Sequence, residues 1–203
     1  MSKNKSSKNA EKGARRDDIL QAAAALFASK GYAATSIRDI ADSVGLLSGS
    51  LYYHFTSKEE ILLEAHARGV AQVTEAVLAA IEAHSEPWQT ITAACKAHLS
   101  VLLGPSPFSQ VITPQFPGSF EGALRQTLLD QRNDYEALLK GLVTDLSLPD
   151  QVDARLFRLA LLGALNWAQT WYRESGPSSP EEIANDIIDM FRNQLDESDS
   201  STS

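Results

Sequence analysis

Residues 45–55, GLLSGSLYYHF, contain hydroxyl, phenol and imidazole groups but no Asp, Glu, Lys or Arg. The hydroxyls of Ser48 and Ser50 can exchange hydrogen bonds with base edges, and Gly49 between them lets a helix backbone approach a groove closely. The aromatic groups that follow can donate to phosphate oxygens: Tyr52, Tyr53 and His54. The stretch therefore has the chemistry of a surface that reads nucleic acid.

Packing of these aromatic side chains inside the protein is the alternative interpretation, and spacing alone does not separate the two. Gly49 favours DNA contact, because a glycine inside a helix costs about 1 kcal/mol relative to alanine and no packing reason is evident. Leu47, Leu51 and Phe55 stand four residues apart. This spacing predicts that they form the inward-facing stripe of the same short helix.

No catalytic or metal-binding pattern accompanies the stretch. The residues GLLSGS lack the spacing of a Gly-x-Ser-x-Gly nucleophile elbow and of a phosphate-binding loop. The four histidines, at positions 54, 66, 84 and 98, never stand three or four residues apart. A single cysteine, Cys95, excludes an internal disulfide and a cysteine-pair zinc site. We expect no enzyme activity, no cofactor and no metal.

Helical periodicity dominates the chain, and no alternating strand pattern occurs, so the predicted class is all-α. The predicted helices cover about residues 19–30, 37–44, 48–55, 57–81, 87–103, 120–146, 152–172 and 181–195. Thr35 or Ser36 caps the second helix, and Ser57 with Glu60 forms a capping box for the fourth. Two short helices joined at Gly45 have the shape of a helix-turn-helix, whose second helix enters the major groove.

The net charge of −8 is unevenly distributed. Residues 1–55 hold eight Lys/Arg and five Asp/Glu, a balance of +3, whereas residues 56–203 hold ten and twenty-one, a balance of −11. Residues 1–16 alone carry six positive charges and one negative charge. The N-terminal part can approach a polyanion that the acidic remainder would repel.

Residues 15–62 closely resemble the N-terminal DNA-binding domain of TetR-family transcriptional regulators. The resemblance rests on an apolar helix ending at Phe27 and Gly31, then TSIRDIADSVGL, GSLYYHF and a Ser-Lys start to the fourth helix. It implies a homodimer with a three-helix head, which binds a palindromic double-stranded DNA operator, and a body that binds a small-molecule effector.

The resemblance also implies which residues contact DNA: Thr35, Ser36, Arg38, Ser48, Gly49, Ser50, Tyr52, Tyr53, His54 and Lys58. By the same resemblance, Arg38 and residues 48–50 read bases. Residues 52–54 and Lys58 contact mainly phosphates.

The stretch WYRESGPSSPEEIANDIIDMF is similar to family members that repress fatty-acid and steroid-ring breakdown, several of which respond to acyl-CoA thioesters. That similarity implies an apolar slot for an acyl chain and cations for phosphates. The candidate effector-binding residues are Trp88, Phe108, Phe116, Phe120, Arg125, Arg132, Tyr135, Trp167 and Trp171, with Lys96, Arg155 and Arg158 as further cations. For each aromatic residue, ordinary packing in a helix bundle is the alternative.

Two apolar faces in the last two helices predict a dimer interface: Leu156, Leu159, Ala160, Gly163, Ala164, Ile183, Ile187, Ile188 and Phe191. The second of these faces has few obvious partners within the chain. The predicted organisation is a disordered basic tail (1–14), a helix-turn-helix domain (15–60), a ligand-binding and dimerisation domain (61–195) and a disordered tail (196–203).

The predicted function is a ligand-responsive, sequence-specific repressor that a small molecule releases from its operator. The longest apolar stretch is seven residues, Leu159–Leu165, far short of the ~20 that a membrane helix needs, and we expect a cytoplasmic protein. Two alternatives remain open. One is a helical ligand-binding or interaction protein without DNA binding; the other is a regulator of efflux or other genes that responds to a hydrophobic ligand other than a CoA ester.

Overall fold

The computed structural model describes residues 3–112 and 120–200, with side chains described for residues 13–112 and 120–195. Within these residues the chain forms eight α-helices, one short 3-10 helix and no strand, which confirms the predicted all-α class. The helices are α1 (Lys3–Lys30), α2 (Ile37–Ser43), α3 (Ser48–Leu51), α4 (Lys58–Ile81), α5 (Pro87–Leu102), the 3-10 helix (Pro107–Gln110), α6 (Gly122–Thr144), α7 (Ala154–Trp171) and α8 (Pro180–Ser200).

Two helices extend further than the sequence predicts. Helix α1 begins at Lys3, within the stretch expected to be disordered, and α8 continues to Ser200 rather than ending near residue 195. Lys, Ala, Glu and Arg in the N-terminal extension favour helix, and lengthening an existing helix needs no new nucleation. Helix α3 is shorter than predicted: it ends at Leu51, and residues 52–54 form a turn.

The described chain divides into two compact units. Residues 3–69 with 106–112 and 120–128 form one, which we call the head unit, and residues 70–105 with 129–200 form the other, the body unit. The sequence predicts a single boundary between residues 60 and 61. The contacts instead group the 3-10 helix and the start of α6 with the head unit.

The head unit is built around one apolar core that unites α1–α4 with the 3-10 helix. Its buried members are Ile19, Leu20, Ala23, Ala24, Phe27, Ile40, Ala41, Leu51, Phe55, Ile61, Leu62, Ala65, Phe108 and Val111. Gly69 on α4 makes a close approach to the 3-10 segment possible. A Cβ at this position would stand 2.6 Å from Cγ2 of Ile112 and 2.7 Å from the carbonyl oxygen of Phe108. A side chain at position 69 would therefore displace the segment.

The body unit packs α5 against both α7 and α8, and α7 against α8. Phe157 of α7 joins the three helices through edge-to-face contacts, 5.3 Å from Phe191 and 6.4 Å from Trp88 between ring centres. No helix in the described parts of the chain is both long and apolar enough to span a membrane.

A polar pair lies inside the body unit. His98 and Tyr135 are both buried, and Nδ1 of His98 is 2.6 Å from the Tyr135 hydroxyl. Burial lowers the pKa of His98 to about 4, against a smaller opposing effect of a hydrogen bond to Asn166. Burial likewise raises the pKa of Tyr135, and raises that of Cys95 to about 12. All three groups are therefore uncharged near neutral pH.

We predict that His98 makes the protein less stable as the pH falls from 6.5 to 4. Because the pKa in the folded protein, about 4, lies below the ordinary 6.5, the unfolded chain binds a proton in this window and the folded chain does not. The free energy of unfolding should drop by up to about 3 kcal/mol, with no further loss from this group below pH 4. Urea denaturation at a series of pH values measures the effect.

His98→Gln removes the titrating group, and the slope across this window should shrink accordingly. His84→Gln, at an exposed position of the same unit, is the matched control and should keep the wild-type slope. Equal acid sensitivity of the wild type and His98→Gln would show that His98 is not the cause.

Candidate nucleic-acid interface

The start of α2 is fixed by a reciprocal cap at Ser36, one of the two predicted cap positions. The Ser36 hydroxyl accepts a hydrogen bond from the Asp39 amide at 3.1 Å, and the Asp39 carboxylate accepts one from the Ser36 amide at 2.8 Å. The Ser36 hydroxyl also donates to the Asp39 carboxylate at 2.6 Å, and this bond, ahead of the one from the Ser36 amide, lowers the pKa of Asp39 to about 2. Ser36 is exposed, but its hydroxyl is already used in the cap.

The turn between α2 and α3 depends on Gly45, whose φ of 66° lies in the left-handed region that favours glycine. This conformation reverses the chain at the end of α2. It allows the Leu46 amide to donate to the Ala41 carbonyl at 2.8 Å, and Leu46 packs against the head core. The predicted helix-turn-helix geometry is thus present, with α2 and α3 in contact.

Helix α3 is a short turn that presents polar groups outward. Leu51 and Phe55 are 0% and 1% exposed and hold the element to the head core. The amides of Tyr53 and His54 bond to carbonyls three residues earlier, which tightens the end of the helix. The predicted DNA-contacting residues of this element all reach the surface: Gly49, Ser50, Tyr52 and Tyr53 are exposed, and Ser48 and His54 are half-buried.

Leu47 does not face the core, so the prediction that it shares a stripe with Leu51 and Phe55 is wrong. Its side chain is 80% exposed, and it occupies the N-cap position of α3 with an extended backbone (φ −74°, ψ 143°). Helical spacing does not apply to a residue that precedes the helix. Leu47 also provides no side-chain cap, where Ser, Thr, Asp or Asn would stabilise the helix start by about 1 kcal/mol.

Thr35 and Lys58 are used inside the head unit. Thr35 is 1% exposed, and its hydroxyl donates to the Gly31 carbonyl at 2.8 Å, so a DNA contact through this side chain does not fit its position. The Lys58 ammonium donates to the Tyr32 and Thr35 carbonyls, both at 2.8 Å, and lies 4.1 Å from the centre of the Tyr32 ring. Lys58 thus ties the α1–α2 connection to the start of α4.

Arg38 is the most accessible cation of this region. Its side chain is 84% exposed on α2, and its Nε lies 3.7 Å from the Asp42 carboxylate one turn later. Exposed pairs of this kind contribute little to stability. The guanidinium can therefore exchange Asp42 for a base edge or a phosphate at small cost.

Arg16 is a positioning residue. From the sequence, it is identified only as one of the basic residues of the N-terminal stretch. Its guanidinium donates to the carbonyl of His54, at the end of the turn after α3, and to Glu60 and Glu64 of α4. It also lies 3.9 Å from the centre of the Phe55 ring. Glu64 is the main cause that raises the pKa of Arg16. The sequence feature that could have indicated this role is the pair of acids Glu60 and Glu64, which stand four residues apart on one face of α4.

The predicted effector-binding aromatic residues are spread over both units. Phe108 is buried in the head core, and Phe120 packs 5.1 Å from Tyr32 in the same unit. Tyr135 lies in the body core beside His98. Trp167 and Trp171 stand on the outer face of α7, 58% and 49% exposed. Phe116 lies outside the described residues.

Of the predicted cations, Arg125 is exposed in the head unit, and Arg132 and Arg158 both pair with Glu136, at 2.7 and 3.2 Å. Lys96 instead lines a groove of about 240 Å³ in the body unit, together with Trp88 and Arg192. Arg192 covers the Trp88 ring at 5.4 Å, and among residues 13–112 and 120–195 no acidic residue lines the groove. Two cations, Lys96 and Arg192, thus line this groove.

Of the two faces predicted to form a dimer interface, the one on α7 is largely exposed and the one on α8 is buried within the chain. On α7, Leu156, Leu159, Ala160 and Gly163 are exposed and Ala164 is half-buried. On α8, Ile183, Ile187 and Ile188 are buried in the body unit, where α8 packs on α5 and α7, and Phe191 contacts Phe157. The prediction that α8 has few partners within the chain is therefore wrong, and the exposed apolar stripe lies on α7.

Both parts of the chain match family models. Residues 19–65 match "Bacterial regulatory proteins, tetR family", and residues 84–195 match "Tetracyclin repressor-like, C-terminal domain". The chain is 29% identical over 180 residues to the HTH-type transcriptional repressor KstR2 of Mycolicibacterium smegmatis, which covers 86% of this chain and 87% of the relative.

Solved structures share the fold along the chain. PfmR of Thermus thermophilus, a TetR family transcriptional regulator, is 32% identical with a TM-score of 0.71, over 85% of this chain and 96% of PfmR. AibR, solved with isovaleryl coenzyme A and operator DNA, is 24% identical with a TM-score of 0.78, over 87% of this chain and 97% of AibR. Because the two family models together span most of the sequence, this chain belongs to the TetR family and is a DNA-binding transcriptional regulator rather than an enzyme.

Proposed function

We propose that this protein is a cytoplasmic repressor that binds a palindromic operator as a dimer and is released by a small-molecule effector. The observation that carries the proposal is the surface of α3 and the turn after it. Its inner side is fully buried, and its outer side is uncharged, hydrogen-bonding and exposed. The repressor assignment is supported by the relative KstR2, which is named as one.

Base reading in this proposal belongs to α3 and Arg38. Ser48, Gly49 and Ser50 form the first turn of α3, and their small size lets the backbone come close to base edges in the major groove. Arg38 on α2 adds a guanidinium able to make two parallel hydrogen bonds to guanine.

Backbone contacts belong to the end of the same element. The Tyr52 and Tyr53 phenols, 55% and 71% exposed, are available to phosphate oxygens, and His54 follows them. Lys58 has two of its three ammonium hydrogens directed at carbonyls. Its contribution to DNA binding is therefore chiefly its positive charge and its hold on the start of α4.

Dimerisation is assigned to the exposed stripe on α7. Leu156, Leu159, Gly163, Trp167 and Trp171 recur every three or four residues, so they lie along one side of the helix. Large exposed apolar patches mark association surfaces, and small residues such as Gly163 allow a partner helix to approach closely. Two such stripes related by a two-fold axis would bury each other, and a two-fold dimer matches a palindromic operator.

An acyl-CoA thioester is the effector class that we assign to the body unit. The groove of Trp88, Lys96 and Arg192 offers an aromatic ring for stacking and two cations for phosphates. AibR, whose fold this chain shares, binds isovaleryl coenzyme A. A hydrophobic effector without CoA is the competing assignment, and it would make no use of these cations.

Arg38→Ala and Ser50→Ala are expected to change which sequences the protein selects from random DNA, at about 1–3 kcal/mol per disturbed base contact. Arg16→Ala should weaken binding to all DNA sequences alike, because it loosens the end of α3 without removing a base contact. Selection followed by sequencing gives preference, and fluorescence anisotropy gives affinity. A wild-type plot of log affinity against log salt should fall with a slope of about −0.9 per phosphate contact.

Lys140→Ala is the control, since it removes an exposed positive charge from the body unit. It should leave both preference and affinity unchanged. Wild-type protein without salt-dependent DNA binding would favour a ligand-carrier protein. Unaltered preference in both Arg38→Ala and Ser50→Ala would contradict the assignment of base reading to these two residues.

Leu159→Glu is expected to convert a dimer into a monomer at micromolar concentration, because a charge would be buried in the α7 stripe. Light scattering coupled to gel filtration measures the mass. Leu78→Glu is the matched control: Leu78 is 45% exposed, similar to the 42% of Leu159, but lies on α4. A monomeric wild type, or a dimeric Leu159→Glu variant, would contradict the interface.

Acyl-CoA esters are expected to bind in calorimetric titration and to weaken operator binding. Lys96→Ala should reduce affinity for both acyl-CoA and free CoA by about tenfold, because it removes one charge-assisted phosphate contact. Lys140→Ala serves again as the control. If no acyl-CoA of any chain length binds while operator binding is intact, the effector class is wrong and the regulator assignment stands.

A further inference from the structure

Leu47 has the highest fractional exposure, 80%, of any large hydrophobic side chain among the described residues. It does not lie on the body or on the α7 stripe. It stands directly before Ser48, Gly49 and Ser50, at the first position of the element that reads DNA in the proposed function.

The folded protein gains nothing from leucine at this position. The side chain is not part of the head core, and the residue that packs there is its neighbour Leu46. Leucine also leaves the N-cap of α3 without a side-chain hydrogen-bond acceptor, which a serine or threonine would supply. In the free protein, leucine at this position is therefore neither part of the core nor a cap for α3.

The neighbouring groups limit what covers Leu47. The residues of this element, 45–55, carry no charge, and those beside Leu47 are small: Ser48, Gly49 and Ser50. A helix start of this shape fits the floor of the major groove, where base edges lie. Among the four bases only thymine presents an apolar group there, its C5 methyl.

We propose that Leu47 contacts the methyl group of a thymine in the operator and thereby specifies an A·T pair at that position. The assignment rests on the proposed function, since it requires the head to bind DNA through α3. It gives the recognition element an apolar reader beside the hydrogen-bonding readers Ser48 and Ser50. Deoxyribose also offers apolar C–H surface, but contact with it would carry no information about the base.

Removal of single methyl groups from the operator tests the proposed thymine contact. In the operator selected from random DNA, each thymine is replaced in turn by deoxyuridine, which removes the methyl and keeps the base pairing. At one position in each half-site the wild type should lose about fourfold in affinity, equivalent to about 0.8 kcal/mol for one buried carbon group. Leu47→Ser should bind thymine and deoxyuridine equally at that position.

Two readouts exclude a merely structural role for Leu47. Leu47→Ser should have a melting temperature equal to or above that of the wild type, because serine caps α3 and the lost leucine side chain makes no contact with the head core. Leu47→Met, which keeps an apolar chain of similar volume, should retain sensitivity to the methyl group. A structural role would instead lower the melting temperature and weaken all operators alike.

The outcomes separate this assignment from the function on which it rests. If the wild type selects an operator but no thymine methyl affects affinity, or if Leu47→Ser remains as sensitive as the wild type, the thymine contact is overturned and the regulator assignment stands. If the wild type selects no sequence at all, the proposed function fails, and the thymine contact fails with it.

Discussion

A helix of four residues has no stability of its own, so the proposed DNA contacts of residues 48–54 depend on what holds α3 in place. Isolated helices shorter than about 12 residues are marginal in water, so α3 exists only because its surroundings fix it. Leu51 and Phe55 anchor it from below by burial. Arg16 anchors its end by bonding the His54 carbonyl while pairing with two acids of α4.

In this arrangement, the residues that hold α3 in the fold differ from the residues proposed to contact DNA. The anchors are apolar or already paired, and the outward residues Gly49, Ser50 and Tyr53 make no contribution to the head core. Substitutions on the outer surface therefore leave the head core intact. Leu47 is the extreme case, because the free protein would be better served by a capping residue there.

Much of the fold follows from residue patterns. Periodicity predicts eight helices near their observed positions, and a cap at position 35 or 36 with a turn at Gly45 predicts the helix-turn-helix. The errors have physical causes. Helical spacing assigned Leu47 to the inner stripe, but the helix starts one residue later. Thr35 has a hydroxyl suited to DNA, and the pattern does not reveal that two carbonyls of the same chain take it.

The body illustrates a second limit of sequence reasoning. An amphipathic helix shows that one face is buried, but not which surface buries it. Ile183, Ile187 and Ile188 predict an apolar face on α8 correctly, yet α5 and α7 of the same chain cover it. The aromatic residues behave alike: Phe108 belongs to the head core, although its position in the sequence suggests the body. Long-range packing decides both cases.

Gly69 sets a geometric condition on how α4 can move. At this point the helix backbone and the 3-10 segment are separated by less than the size of a methyl group. If α4 turned about its own axis, a neighbouring residue with a side chain would replace Gly69 and collide with Phe108 or Ile112. Rotation of α4 alone would therefore bring a side chain against the 3-10 segment at this point. Within the head unit, we expect α4 and the 3-10 segment to move together.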